Sequence, residues 1–247
     1  MQKKFKLLVA IVCCISFIVS AKEISLTAKN GIELKGDYFA SETKSRYAVL
    51  MLHQCNYNRS MYLSIGELFS ERGINALSID FRGFGESVNE KFDIDEIQKL
   101  PQPERREAWR AMAKHWPNDV LKAYSFLQNK LEGSGKIAVI GASCGGSQAI
   151  TLAESSDIVA LGFFSSAQSD ENIERYKSAS ADKPTLIIVA EQDTRTFESG
   201  KTLFDKAQHL QSKLITYKGG DHGYPLLNKD PYLAEDIVDW FESQLKK

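Results

Sequence analysis

The sequence predicts an α/β protein built on one mostly parallel sheet of about eight strands, with helices on both faces and an antiparallel pair at its start. Three observations carry this. Short apolar runs rich in β-branched residues recur along the chain, most are followed by a stretch of helical periodicity, and the runs are apolar throughout instead of alternating. A strand without a polar face needs cover on both sides, and alternating helices supply it.

The first residues, "MQKKFKLLVAIVCCISFIVSAKE", place lysines at 3, 4 and 6 before an apolar run from Leu7 to Val19 and the small-residue step Val19-Ser20-Ala21. That is the layout of a secretory signal peptide cut after Ala21. The apolar run is 13 residues long, short of the roughly 20 needed to span a bilayer. Residues 1–21 are therefore expected to leave, without stable membrane insertion afterwards, and the mature protein to be periplasmic or secreted. Cys13 and Cys14 lie inside the apolar run and not at its end, which disfavours lipid attachment. One domain then spans residues 22–247, and 247 residues at 43% hydrophobic and 26% charged are enough to close a core.

The elements follow in order. "EISLTAKNGIELKGDYFA" has two alternating runs around Asn30-Gly31, a strong hairpin signal. "YAVLML" leads to the helical "SMYLSIGELFSERG", and "INALSID" is followed further on by "NDVLKAYSFLQNKL". "KIAVI" is joined to "GGSQAITLAESS". "IVALGFF" comes next, then "PTLIIVA" with "FESGKTLFDKAQHL" and "KLITYK" with "PYLAEDIVDWFESQL". Between Val88 and Trp116 charge is dense, and Pro101 and Pro103 interrupt a possible helix. This segment is expected to be an insertion, either a solvated surface helix or a flap near a site; Trp109, Met112 and Trp116 recur at helical spacing and can dock one face onto the body.

Lysine and arginine number 31 against 32 acidic residues, with no long basic block. A surface that neutralises phosphates is not expected, and nucleic acid is excluded as a partner. No histidine has a second histidine or a cysteine at i+3 or i+4, so no metal is expected. The glycines near Ser143 lack both nucleotide-binding spacings, so no cofactor is implied.

One pentapeptide carries chemistry: Gly141-Ala142-Ser143-Cys144-Gly145, a Gly-x-Ser-x-Gly pattern. Composition alone would produce such a pattern in roughly one chain in ten. It gains weight from its setting, since it directly follows "KIAVI" and directly precedes a helical pattern, the strand–turn–helix context of a nucleophile elbow. Asp193 and His222 also lie just past predicted strands, where open α/β sheets place their sites.

With "LHQCN" after an early strand, "IDFRGFGES" after the next, "IGASCGG" at the elbow, "VAEQDT" after a late strand and "GGDHGYP" near the C-terminus, the chain resembles a compact α/β-hydrolase. It is most similar to dienelactone-hydrolase-like and small carboxylesterase members. The resemblance covers roughly residues 24 to 245. It implies a Ser–Asp–His triad in which Ser143 attacks a carbonyl, His222 carries the proton and Asp193 orients the imidazole. Plainer roles remain open: Asp193 as a turn residue, His222 as a loop histidine with Asp221 as a rival acid, and Asp80 as an alternative triad acid. In the resemblance Asp80 belongs to a turn beside the site, Arg82 and Glu86 are structural, and His53 is a strand-end histidine.

Some relatives use cysteine as nucleophile at the centre of the elbow, the position of Ser143. Taking Cys144 as nucleophile would shift the chemistry by one residue and turn the side chain away from His222, so Ser143 is favoured. Cys144 then follows the nucleophile and supplies one oxyanion-hole N–H. The second is expected from Cys55, or failing that Gln54, which stands where the family's His-Gly step has glycine. The resemblance thus brings the two mature-chain cysteines, Cys55 and Cys144, within bridging reach, and a disulfide between them is expected to set the distance between the two donors; two buried thiols are the alternative.

The function expected is an exported serine hydrolase cleaving a small-molecule ester, thioester or lactone through an acyl-enzyme. A peptide or amide hydrolase on the same triad is the enzymatic alternative. A catalytically silent binding protein that keeps the fold is the other, and it draws on the missing glycine at Gln54. The segment "SSAQSDENIERYKSASADKP" is too short for a cap domain, which favours an open cleft. Oligomeric state is left open.

Overall fold

The computed structural model describes residues 21–247, so the expected leader, apart from Ala21, lies outside the described residues. Eight strands form one sheet: β1 (Lys22–Thr27), β2 (Glu33–Phe39), β3 (Tyr47–Leu52), β4 (Asn75–Ile79), β5 (Lys136–Ala142), β6 (Ile158–Phe164), β7 (Thr185–Ala190) and β8 (Lys213–Tyr217). Their order is β1-β2-β4-β3-β5-β6-β7-β8. The pairs β1/β2 and β2/β4 are antiparallel, and every other pair is parallel.

The hairpin forms where Asn30-Gly31 was expected to turn the chain. Both residues take positive φ, 73° and 75°, a conformation that glycine and asparagine adopt at low cost. The Ala28 N–H donates to Ile32 O across the turn at 2.9 Å.

The helices are α1 (Leu63–Glu71), α2 (Ile94–Lys99), α3 (Glu104–Ala113), α4 (Trp116–Lys130), α5 (Cys144–Ser155), α6 (Asp170–Ala179), α7 (Thr194–Lys206), α8 (Tyr224–Lys229) and α9 (Leu233–Leu245). They divide between the two faces according to the alternation along the strands. Val49 and Met51 of β3 join Ile65 and Phe69 of α1 and Ile237 and Phe241 of α9 in one core. Leu50 and Leu52 join Val120 of α4, Ile150 of α5, Tyr176 of α6 and Leu203 of α7 in the other. The central strands are buried on both sides, as apolar runs require.

β3 lies between β4 and β5, so the chain leaves β3 toward one edge and later returns to build the other. At such a reversal the loops after the two adjacent strands diverge and leave a crevice at their C-terminal ends. The loop from His53 and the turn at Ser143 both open there.

The expected insertion resolves into α2 and α3, which lead into α4. Pro101 and Pro103 separate the two short helices, and the Gln102–Pro103 bond is cis. The segment docks through Ile94, Ile97, Met112 and Trp116, all buried. Trp116 Nε1 donates to Arg82 O at 3.1 Å, while Arg82, itself 1% exposed, forms a two-point pair with Asp119 of α4 at 2.8 and 2.9 Å. α7 begins earlier than its apolar pattern suggests and ends at Lys206, where Ala207 turns extended. Among the described residues no helix is long and apolar enough to cross a membrane.

Candidate active site

Ser143 joins β5 to α5 with φ 49° and ψ −115°, a backbone state that L-residues avoid and that tight functional turns impose. Its N–H donates to Phe164 O at 2.9 Å, and its carbonyl accepts from Gly146 N at 3.1 Å and Ser166 Oγ at 2.5 Å. The flanking glycines explain how the turn closes: a Cβ on Gly141 would strike the backbone of Gly145, and one on Gly145 would strike Leu52 O at the end of β3. α5 can therefore start immediately beside the sheet, with its N-terminal partial positive charge next to the serine.

Asp193 follows β7 and His222 follows β8. His222 Nδ1 and Asp193 Oδ2 are 2.6 Å apart, and the same carboxylate oxygen accepts from Thr196 Oγ1 at 2.6 Å. With Nδ1–H committed to Asp193, Nε2 is the basic nitrogen. Asp221 instead pairs with Lys229 of α8. Ser143 Oγ makes no hydrogen bond with His222 among the described residues; nucleophile–base contacts in empty sites often tighten only around substrate.

Cys55 and Cys144 are joined by a disulfide with Cα atoms 5.8 Å apart. It bridges the loop after β3 to the first residue of α5. Neither amide N–H makes a backbone hydrogen bond among the described residues, so both are available as donors.

Asp80, the rival acid, is fully buried; it accepts from Arg59 N at 2.8 Å and Glu86 N at 2.9 Å and pairs with the Arg59 guanidinium. It shapes the turn after β4. Glu86 also pairs with Arg59. His53 is equally buried: Nδ1–H donates to Gln54 O at 2.7 Å and Nε2 accepts from Phe81 N at 2.9 Å. Burial holds its pKa down at about 4, so it is a neutral structural group at neutral pH. His115 packs beside Phe92 with its ring centroid 5.5 Å away. His209 is half-buried, and its Nδ1 accepts from Gln211 N at 3.2 Å. No group of three or more His, Cys, Asp or Glu side chains among the described residues could hold a metal.

Sequence reasoning did not find the groups that hold the loops. Besides Thr196, Ser165 at the end of β6 has φ 44° and its Oγ accepts from Gly223 N at 2.9 Å, directly after His222. Gln54 reaches the same loop, accepting from Tyr224 N at 2.8 Å. Of the aromatic residues near the strand ends, Tyr62, Trp116 and Phe164 are buried in the body. Tyr57 and Tyr224 stack on each other at 4.4 Å beside the site. A cleft of about 520 Å³ runs from Cys55 and Tyr57 past Phe84 to Ile94, Asp95 and Gln98 of α2, so the insertion forms one wall beside the site.

A model of the dienelactone hydrolase family matches residues 37–245. Comparison with curated proteins finds no match. Among solved structures the chain is similar to an esterase of Pyrococcus furiosus, at 17% identity and TM-score 0.67 over 92% of this chain and 93% of that one. A dienelactone hydrolase from Anabaena variabilis superposes with TM-score 0.67 at 18% identity, covering 92% of this chain and 99% of that one. A predicted CIB-like hydrolase from Thermoplasma acidophilum has the same TM-score, 0.67, at 18% identity, covering 91% of this chain and 99% of that one.

Proposed function

The chain belongs to the dienelactone hydrolase family, and on that premise we propose that it is an exported serine hydrolase that cleaves a small ester, thioester or lactone through an acyl-enzyme. Ser143 Oγ attacks the substrate carbonyl and its proton passes to His222 Nε2. Asp193 holds the imidazole in the tautomer with Nδ1 protonated and stabilises the cation that forms. The tetrahedral oxyanion lies between the N–H groups of Cys55 and Cys144, beside the N-terminus of α5. Collapse breaks the carbonyl–oxygen or carbonyl–sulfur bond. The leaving alkoxide or thiolate takes the proton from His222, which for a lactone leaves a ring-opened hydroxyacyl group on Ser143. Water then attacks the acyl-enzyme with His222 as base, and the acid departs.

The observation that carries this reading is the 2.6 Å bond from His222 to Asp193 at the strand ends that also present Ser143 in its strained turn. The disulfide supports it further, because it ties together the two residues whose amides would bind the oxyanion; loss of one such donor lowers rate by on the order of 10²–10³. An exported protein would form and keep that bond, whereas a reducing cytosol would oppose it. The open cleft beside Cys55 and the absence of a cap-sized segment between β6 and β7 suit a small substrate.

The test is hydrolysis of p-nitrophenyl acetate and butyrate by the mature chain. Ser143→Ala and His222→Ala should each remove roughly 10³-fold or more of kcat, and Asp193→Asn roughly 10²–10⁴-fold. Turnover that survives Ser143→Ala would reject the assignment.

A further inference from the structure

We propose that Gln54 is a positioning residue, whose carboxamide locks the loop carrying His222 to the loop carrying the Cys55 amide and so sets the general base in register with the oxyanion hole. The inference rests on the reading of Ser143, His222 and Cys55 given above.

Gln54 is only 2% exposed, and both ends of its carboxamide are engaged. Oε1 accepts from Tyr224 N at 2.8 Å, and Nε2 donates to Asn56 Oδ1 at 2.6 Å. The two bonds fix which way the group faces, so the acceptor cannot swing away from the His222 loop. Gly223, between His222 and Tyr224, has φ 68°. A Cβ there would collide with Gln54 Oε1, so the glycine and the glutamine are sterically matched. The Gly223 N–H goes to Ser165 Oγ at 2.9 Å. Two successive amides after His222 are thus held from two different strand ends, and the Tyr57–Tyr224 stack adds a third tie between the same loops.

Asp193 fixes the rotation of the imidazole, but it does not fix where the His222 backbone lies relative to Ser143. Gln54 and Ser165 do that. Glycine at position 54, expected from the family's His-Gly step, has no side chain with which to make this link. Gln54 therefore exchanges backbone freedom in the oxyanion loop for a side-chain tie to the base. Buried amide groups left without their partner are costly, and misplacement of a catalytic group by about 1 Å can lower rate by about 10²-fold.

The experiment compares Gln54→Met, which keeps length and removes the acceptor, with Gln54→Glu, which keeps an acceptor for Tyr224 N–H. Steady-state kinetics on p-nitrophenyl butyrate at pH 8 and fluorophosphonate labelling are measured for each and for wild type. Gln54→Met should lower kcat by about 10- to 100-fold with KM changed less than about threefold. Gln54→Glu should recover most of that loss. In the wild type the Tyr224 amide should exchange with solvent at least about 100-fold more slowly than in an unstructured peptide. If Gln54→Met is folded and keeps kcat within about twofold, the positioning role is overturned while the site reading stands. If it does not fold, wild-type exchange decides: protection of the Tyr224 amide supports the tie, and unstructured-peptide exchange overturns it. Wild type that neither turns over ester nor labels at Ser143 overturns the site reading itself, and the positioning role with it.

Discussion

At Ser143 the backbone is held at φ 49°, and the neighbours that tolerate this are small because backbone occupies the space where side chains would go. That arrangement was legible in the sequence, since glycines at 141 and 145 between a strand and a helix admit few other conformations. Asp193 and His222 were legible in the same way, each placed by a strand end. Ser165 and Gln54 were not, because their roles depend on contacts between segments distant in the chain; Gln54 and Tyr224 are 170 positions apart. Thr196 is only three positions from Asp193, but the sequence does not set which way its hydroxyl turns at the start of α7. Thr196→Val should loosen the Asp193 carboxylate and lower kcat by about 3- to 10-fold with little change in KM, in line with the loss of one hydrogen bond; unchanged kcat would reject that role. His53 gives a stability prediction. Its folded pKa of about 4 lies below the ordinary value of 6.5, so its contribution is fully present above 6.5 and is lost as pH falls from there toward 4. Denaturant titration should find the protein about 2 kcal/mol less stable at pH 5 than at pH 7 from this group, and a His53→Gln variant should lose that part of the acid sensitivity.

Among the elements, the strands are the best predicted, because a run that is apolar on both sides admits only a buried position between two layers of helix. Helix limits are less legible: α7 ends at Lys206 because the backbone turns extended at Ala207 and Gln208 N then donates to Ala181 O at 2.7 Å, a tertiary contact that periodicity does not encode. The charged insertion shows the same limit. Its proline break and its docking residues were visible, but not that α2 would line a cleft beside Cys55. α4, into which the insertion leads, is pinned to the turn after β4 by the Arg82–Asp119 pair, both residues about 1% exposed. Removing one partner leaves an uncompensated buried charge, so Asp119→Ala should lower stability by about 3–5 kcal/mol. Equilibrium unfolding in urea measures this, and a loss below about 1 kcal/mol would show that the pair does not hold the segment.

On the scale of the whole molecule, the sheet reversal at β3 is what brings the loop of Cys55 and the turn of Ser143 to one crevice, and the Cys55–Cys144 bridge closes a sequence separation of 89 across it. A cross-link over a loop of that length restricts the unfolded chain, and its removal is expected to lower stability by about 4 kcal/mol. If the bridge also sets the oxyanion donors, the Cys55→Ala/Cys144→Ala double variant, assayed where it is still folded, should lose about tenfold or more in kcat; full kcat would restrict the bridge to stability. The measurement that reaches the central claim most directly is covalent labelling of the protein with a fluorophosphonate, followed by non-reducing digestion and mass mapping of the labelled residue. A serine hydrolase built as described carries the label on Ser143, loses it in His222→Ala, and releases Cys55 and Cys144 in one linked peptide. Label on another residue, or none on a protein shown to be folded, would contradict the account.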